Sequence, residues 1–110
     1  MIETLSLNDG RRVRFLAAGA KGGTALVAHH GTPSEAGLWR IWEAAALELG
    51  VRLISVTRPG YDGTDPRPGR SVADAASDVA EVLHSLGIDR FVTVGWSGGG
   101  PHALACAAML

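Results

Sequence analysis

The sequence predicts an α/β fold built on a mostly parallel sheet, and three observations carry that reading. Short runs such as "TALVAHH", "VRLISVT" and "FVTVG" are β-branched or nearly all apolar, as buried strands are. Stretches of helical periodicity separate these runs and follow the last of them. Glycine and proline clusters punctuate the junctions. Strands alternating with helices imply βαβ units, a parallel sheet and right-handed crossovers.

The elements follow in order. Residues 2–7, "IETLSL", alternate apolar and polar like a half-buried strand. "NDG" at 8–10 signals a hairpin turn, and 12–18 supply its second strand. Residues 24–30 form the next strand. Leu38, Ile41, Trp42, Ala45, Ala46 and Leu49 then recur at helical spacing, with Gly50 where a C-cap glycine belongs. A strand at 51–57 leads into "RPGYDGTDPRPGR", too rich in proline and glycine for regular structure. Ser71 and Asp74 resemble a capping box. Val72, Ala75, Ala76, Val79, Val82, Leu83 and Leu86 mark one helix face that ends at Gly87. Strand 91–95 is the last, and a helix starts near Gly98. The whole reads as a β-hairpin followed by βαβαβα.

Bulk properties narrow the function classes. Apolar residues make up 46% of the 110, charged residues 19%, and the formal net charge is −1. That balance gives no electrostatic reason to expect nucleic acid or an anionic membrane as a partner. Cys106 is the only cysteine, so no intrachain disulfide can form and a reducing compartment is the default. The start lacks a signal-peptide pattern, and no apolar run approaches the roughly 20 residues that span a bilayer. A cytoplasmic location is the expectation. "PHALACAAML" is apolar, helix-favouring and uncapped, so the sequence reads as the N-terminal part of one domain, interrupted within that helix.

Three loops leave the carboxyl ends of the parallel strands, where open α/β sheets gather ligands: "HHGTPSE", "RPGYDGTDPRPGR" and "GWSGGG". Gly95-Trp96-Ser97-Gly98-Gly99 fits G-x-S-x-G between a strand and a helix. A strand must there turn into a helix within a few residues, leaving the serine strained and its Oγ projecting above the sheet. Side chains two places before and two after would collide with each other, so Gly95 and Gly99 suit those places.

With these motifs the sequence resembles the α/β-hydrolase fold family, in its serine-nucleophile branch, over essentially all 110 residues. The carriers are the hairpin, "HHGTP", "RPGYDGTD" and "GWSGGGPHALA". The resemblance implies Ser97 as nucleophile and an oxyanion hole made by the backbone N–H groups of Thr32 and Gly98. These amides should face a common point near Ser97 Oγ. Serine at the elbow argues against the epoxide-hydrolase and haloalkane-dehalogenase branches, which use aspartate there. Thr57 and Asp62 stand where relatives commonly have Asp and Gly. Loops of the His-Gly-x-Pro type use a cis proline, so a cis Thr32–Pro33 bond is expected.

The implied reaction is attack on an ester-, lactone- or amide-type carbonyl of a small molecule, through an acyl-enzyme. No metal or organic cofactor is implied; some similar hydrolases also support cofactor-free perhydrolysis. The family's triad runs Ser, then Asp or Glu, then His. After Ser97 the sequence offers no acid and only His102, so base and acid are expected outside these residues. Without the family's further strands, strand 91–95 would also be an exposed edge. Two other classes are open. One is a non-catalytic binding module of hydrolase descent. The other is a dinucleotide-binding domain holding phosphates at "GWSGGG", although its glycines miss G-x-G-x-x-G.

The remaining candidates have plainer readings. Adjacent strand residues face opposite ways, so His29 and His30 cannot share a site. His30 is expected to pack or hydrogen-bond so as to support the Gly31–Pro33 loop. His102 is carried away from Oγ by its helix, and His84 sits on a solvated face. Arg58, Asp62 and Asp65 read as loop-shaping ion pairs and turn residues. Trp39 and Trp42 read as core or crevice wall, Trp96 as a pocket wall, and Cys106 as a small packing residue.

Overall fold

The computed structural model describes residues 1–110 and contains five strands and three α-helices. In chain order, β1 (Ile2–Ser6) and β2 (Arg12–Gly19) form an antiparallel hairpin. β3 (Thr24–His29) is followed by a 3₁₀ segment, Ala36–Trp42, and the short α1 (Glu43–Glu48). Then come β4 (Val51–Val56), α2 (Val72–Ser85), β5 (Phe91–Gly95), a 3₁₀ turn Ser97–Gly99 and α3 (Gly100–Met109). The sheet order is β1-β2-β4-β3-β5. β3 runs parallel to both β4 and β5, while β4 is antiparallel to β2. The expected α/β class and mostly parallel sheet are what the chain adopts.

Strand alternation divides the core in two. Phe15, Val27 and Ile54 point to the face covered by α2 and α3, where they meet Val79, Val82, Leu83 and Cys106. Their neighbours Leu16, Ala28 and Leu53 point the other way, to Ala36, Trp39 and Ala46. The chain places β4 on one side of β3 and then returns to put β5 on the other. The loops after β3 and β5 therefore emerge side by side at a topological switch point. No helix is long and apolar enough to cross a membrane.

α2 follows its expected face closely, and both bonds of the Ser71–Asp74 capping box are present. Between β3 and β4 the expected apolar face is buried only at Ala46. Leu38, Ile41 and Leu49 are exposed, whereas Ala36, Trp39 and Ala46 are buried. The 3₁₀ winding explains part of this, because at three residues per turn Ala36, Trp39 and Trp42 eclipse one another. Trp39 thus belongs to the core, and Trp42 packs against it, tilted by 56° with 4.7 Å between ring centroids, while staying partly exposed.

A buried ion pair joins the hairpin to α2. Arg11 donates to both carboxylate oxygens of Asp78, at 2.6 and 3.2 Å, and Asp78 is only 2% exposed. Asp78 interrupts an otherwise apolar helix face because Arg11 reaches it from the end of the hairpin turn. Asp78→Ala should leave a largely buried guanidinium without its main partner and cost about 3 kcal/mol. Urea denaturation followed by tryptophan fluorescence measures that loss.

Candidate active site

The turn after β5 is built by close backbone contact. Trp96 N–H donates to His29 O at 3.1 Å, and Gly99 N–H closes the turn on Trp96 O at 2.8 Å. A methyl on Gly99 would lie 2.1 Å from His29 O, and one on Gly95 would lie 2.6 Å from Gly99 O and Gly100 Cα. Both glycines are therefore required, but for a different reason than expected. Their Cβ atoms would strike backbone, Gly95 meeting the start of α3 and Gly99 meeting the end of β3.

Ser97 takes φ +50° and is exposed on this turn. Left-handed backbone is uncommon outside glycine and costs on the order of 1–3 kcal/mol when imposed by surrounding structure. Around Ser97 the imposing structure is the turn just described. The loop after β3 closes on it: a methyl on Gly31 would sit 3.7 Å from Ser97 Cβ and 3.3 Å from the Trp96 ring. Thr32–Pro33 is cis. A methyl on Gly98 would lie 2.6 Å from Thr32 Oγ1 and 3.3 Å from Thr32 N, so Thr32 packs directly against Gly98. The Thr32 N–H finds no hydrogen-bond acceptor within the chain. A side chain at the variable position after the serine would therefore press on the Thr32 side chain, a milder constraint than the backbone clashes at Gly95 and Gly99, and one that sequence reading missed.

The supports of this loop are buried. His30, fully buried, donates from Nδ1 to Gly31 O at 2.7 Å and accepts at Nε2 from Arg58 N–H at 3.1 Å. Those partners fix the tautomer, since an N–H cannot donate to a protonated nitrogen. Burial pulls the pKa of His30 down to about 4, and that of His29, bonded instead to Thr93 Oγ1, to about 4 as well. The two histidines part as strand alternation requires. No three His, Cys, Asp or Glu side chains cluster as metal ligands.

Arg58 departs from expectation. It is 4% exposed and takes part in none of the chain's ion pairs. Its guanidinium donates to His30 O at 2.5 Å, Gly31 O at 3.0 Å and Thr32 Oγ1 at 2.9 Å. Asp65 pairs with Arg12, as a loop-shaping carboxylate should. Asp62 sits at φ +20°, and Thr57 accepts from Ala36 N–H at 2.9 Å to start the 3₁₀ segment. His102 turns inward, with Nδ1 3.1 Å from Gly98 O, and lines a cavity of about 10 Å³ with His29, Arg58 and Cys106. Burial raises the Cys106 thiol to about 11, as befits an inert packing residue. His84 is exposed, and so is Trp96, at 66%.

Comparison with known proteins agrees with this architecture. Residues 24–110 match the model of the alpha/beta hydrolase fold family, and the chain belongs to that family. An uncharacterized hydrolase of Bacillus subtilis, YcgS, is 29% identical over 107 residues, 97% of this chain and 36% of that one. An esterase from Exiguobacterium antarcticum superposes with a TM-score of 0.84 at 28% identity, covering 99% of this chain and 40% of its own. An epoxide hydrolase from Vigna radiata shares the fold at a TM-score of 0.84 and 20% identity, covering 99% and 35%. The chain spans little more than a third of the curated relative it matches.

The buried histidines make stability fall in acid. Their folded pKa values lie below the unfolded value of 6.5, so the unfolded state takes up more protons between about pH 6.5 and 4. Stability is full above that window and declines through it, by up to about 1.4 kcal/mol per pH unit for each histidine. His29→Gln should remove about one proton from the slope. Urea midpoints measured across that pH range check this.

Proposed function

We propose that these residues carry the nucleophile and oxyanion hole of a serine hydrolase acting on an ester, lactone or amide carbonyl. The observation that supports this most is an exposed serine at φ +50° with Thr32 packed against the following Gly98. Ser97 Oγ would attack the carbonyl carbon while a histidine takes its proton. The Thr32 and Gly98 N–H groups would hold the resulting oxyanion. Collapse would expel the leaving group, protonated by the same histidine, and water would release the acyl group by the reverse sequence. No cofactor is needed for this chemistry.

In this reading the base and its acidic partner lie in chain beyond Leu110, in a longer domain of which residues 1–110 are the N-terminal part. The proportions of the relatives favour this, and so does β5, which pairs only with β3 and leaves Val92 56% exposed at the sheet edge. Trp96, beside the nucleophile, forms one wall of the acyl pocket. A cytoplasmic setting fits the single buried cysteine.

The full-length product should hydrolyse p-nitrophenyl acetate and react covalently with a fluorophosphonate probe. Ser97→Ala should abolish labelling and lower kcat on the order of 10⁴–10⁶-fold. Residues 1–110 alone should show no serine-dependent turnover. Unchanged turnover in the Ser97→Ala enzyme would remove the nucleophile and the proposal with it.

A further inference from the structure

The N–H of Thr32 shares its peptide unit with the carbonyl of Gly31, and that carbonyl is unusually well bonded. It accepts from neutral His30 Nδ1 at 2.7 Å and from the Arg58 guanidinium at 3.0 Å. An amide whose oxygen accepts hydrogen bonds shifts electron density from nitrogen to oxygen. Its own N–H becomes a stronger donor, an effect of about 10–30% per bond in linked chains. One of the two donors here is a cation, which doubles the strength of such a bond. The N–H at the other end of this polarised unit has no acceptor within the chain.

Arg58 is also electrostatically incomplete. Its terminal nitrogens bind two carbonyls and a hydroxyl, its guanidinium carbon lies 6.0 Å from the centroid of the Tyr61 ring, and Nε, buried, has no partner. None of the chain's ion pairs includes it. A buried charge without a counter-ion costs stability, and a negative charge formed nearby would offset that cost. The oxyanion that would form against Thr32 N–H is such a charge, and it exists only along the reaction coordinate.

We propose that Arg58 is a positioning residue of the oxyanion hole: through Gly31 O it polarises the Gly31–Thr32 peptide, and its unpaired charge is compensated when the oxyanion forms. This rests on the serine-hydrolase reading and deepens it. The second donor is different. The Gly98 N–H shares its unit with Ser97 O, which accepts from the Gly100 N–H, a neutral backbone donor. The two amides are therefore unequal, with Thr32 the stronger.

A purely structural role for Arg58 would weaken every ligand alike, whereas this role is selective for anionic oxygen. The test uses the full-length enzyme with Arg58→Met, which keeps most of the side-chain stem, and Arg58→Lys, which keeps the charge but not the fork. Kinetics with p-nitrophenyl acetate are compared with inhibition by phenylboronic acid, which forms a tetrahedral anion on serine, and by neutral benzyl alcohol. Arg58→Met should lower kcat/KM about 10- to 100-fold and weaken phenylboronic acid in proportion, with benzyl alcohol unchanged. Arg58→Lys should recover part of both. Equal weakening of both inhibitors, or full activity in Arg58→Met, overturns the inference while leaving Ser97 dependence intact. Loss of Ser97 dependence in the unmodified enzyme overturns the underlying reading as well. Should neither variant fold, proton NMR of the unmodified enzyme with phenylboronic acid decides. The Thr32 amide proton should then resonate downfield of the Gly98 amide proton, and the reverse order refutes the inference.

Discussion

The backbone of the turn after β5 rests directly on the carbonyls that end β3, and most of the molecule's geometry follows from that contact. Gly99 has no room for even a methyl group against His29 O, so β5 and α3 can approach β3 only through glycine. That approach fixes β5 beside β3 in the sheet and puts the first turn of α3 over the strand end. Ser97 is left at the apex in a left-handed conformation that an isolated chain would abandon. The loop after β3 then has one place to go. It passes over the apex, with Gly31 against Trp96 and Thr32 against Gly98.

A second layer of interactions holds that loop from beneath, and all of it is polar and buried. His30 and Arg58 bond to each other's backbone and to the carbonyls of residues 30 and 31. Such a network is costly when half-satisfied and rigid when complete, so it defines the loop more sharply than apolar packing could. It also sets the protonation states. Burial keeps both histidines neutral, so the buried charge beneath the loop is that of Arg58. Strain at Ser97 and an unmatched cation at Arg58 both cost stability, the first at the proposed reacting centre and the second beneath the loop that closes on it. The apolar cores on the two faces of the sheet, with the Arg11–Asp78 pair bridging hairpin and helix, supply what those features consume.

The sequence by itself determined the order and kind of nearly every element, because those follow from local pattern. Alternation, helical spacing and glycine punctuation located the five strands and the long helix α2 to within about two residues. It also determined Ser97 as the apex residue, since a strand–glycine–serine–glycine–helix succession has few other physical readings. The close approach of Thr32 and Gly98 followed from the resemblance and not from local pattern. What only the tertiary structure decided are contacts between residues far apart in the chain. Helical spacing nominated Leu38 and Ile41 for burial, but 3₁₀ winding turned Ala36 and Trp39 inward instead. Asp78 carries no sequence signal of burial, and its partner Arg11 comes from the hairpin, far away in the chain. Arg58 looked like part of a loop-shaping ion pair, and its carbonyl partners lie 28 and 27 positions earlier, where no local pattern could announce them. Periodicity encodes which face of an element is buried. It carries no information about which buried polar group will meet which, because that depends on how the strands are ordered, and strand order is a property of the whole sheet.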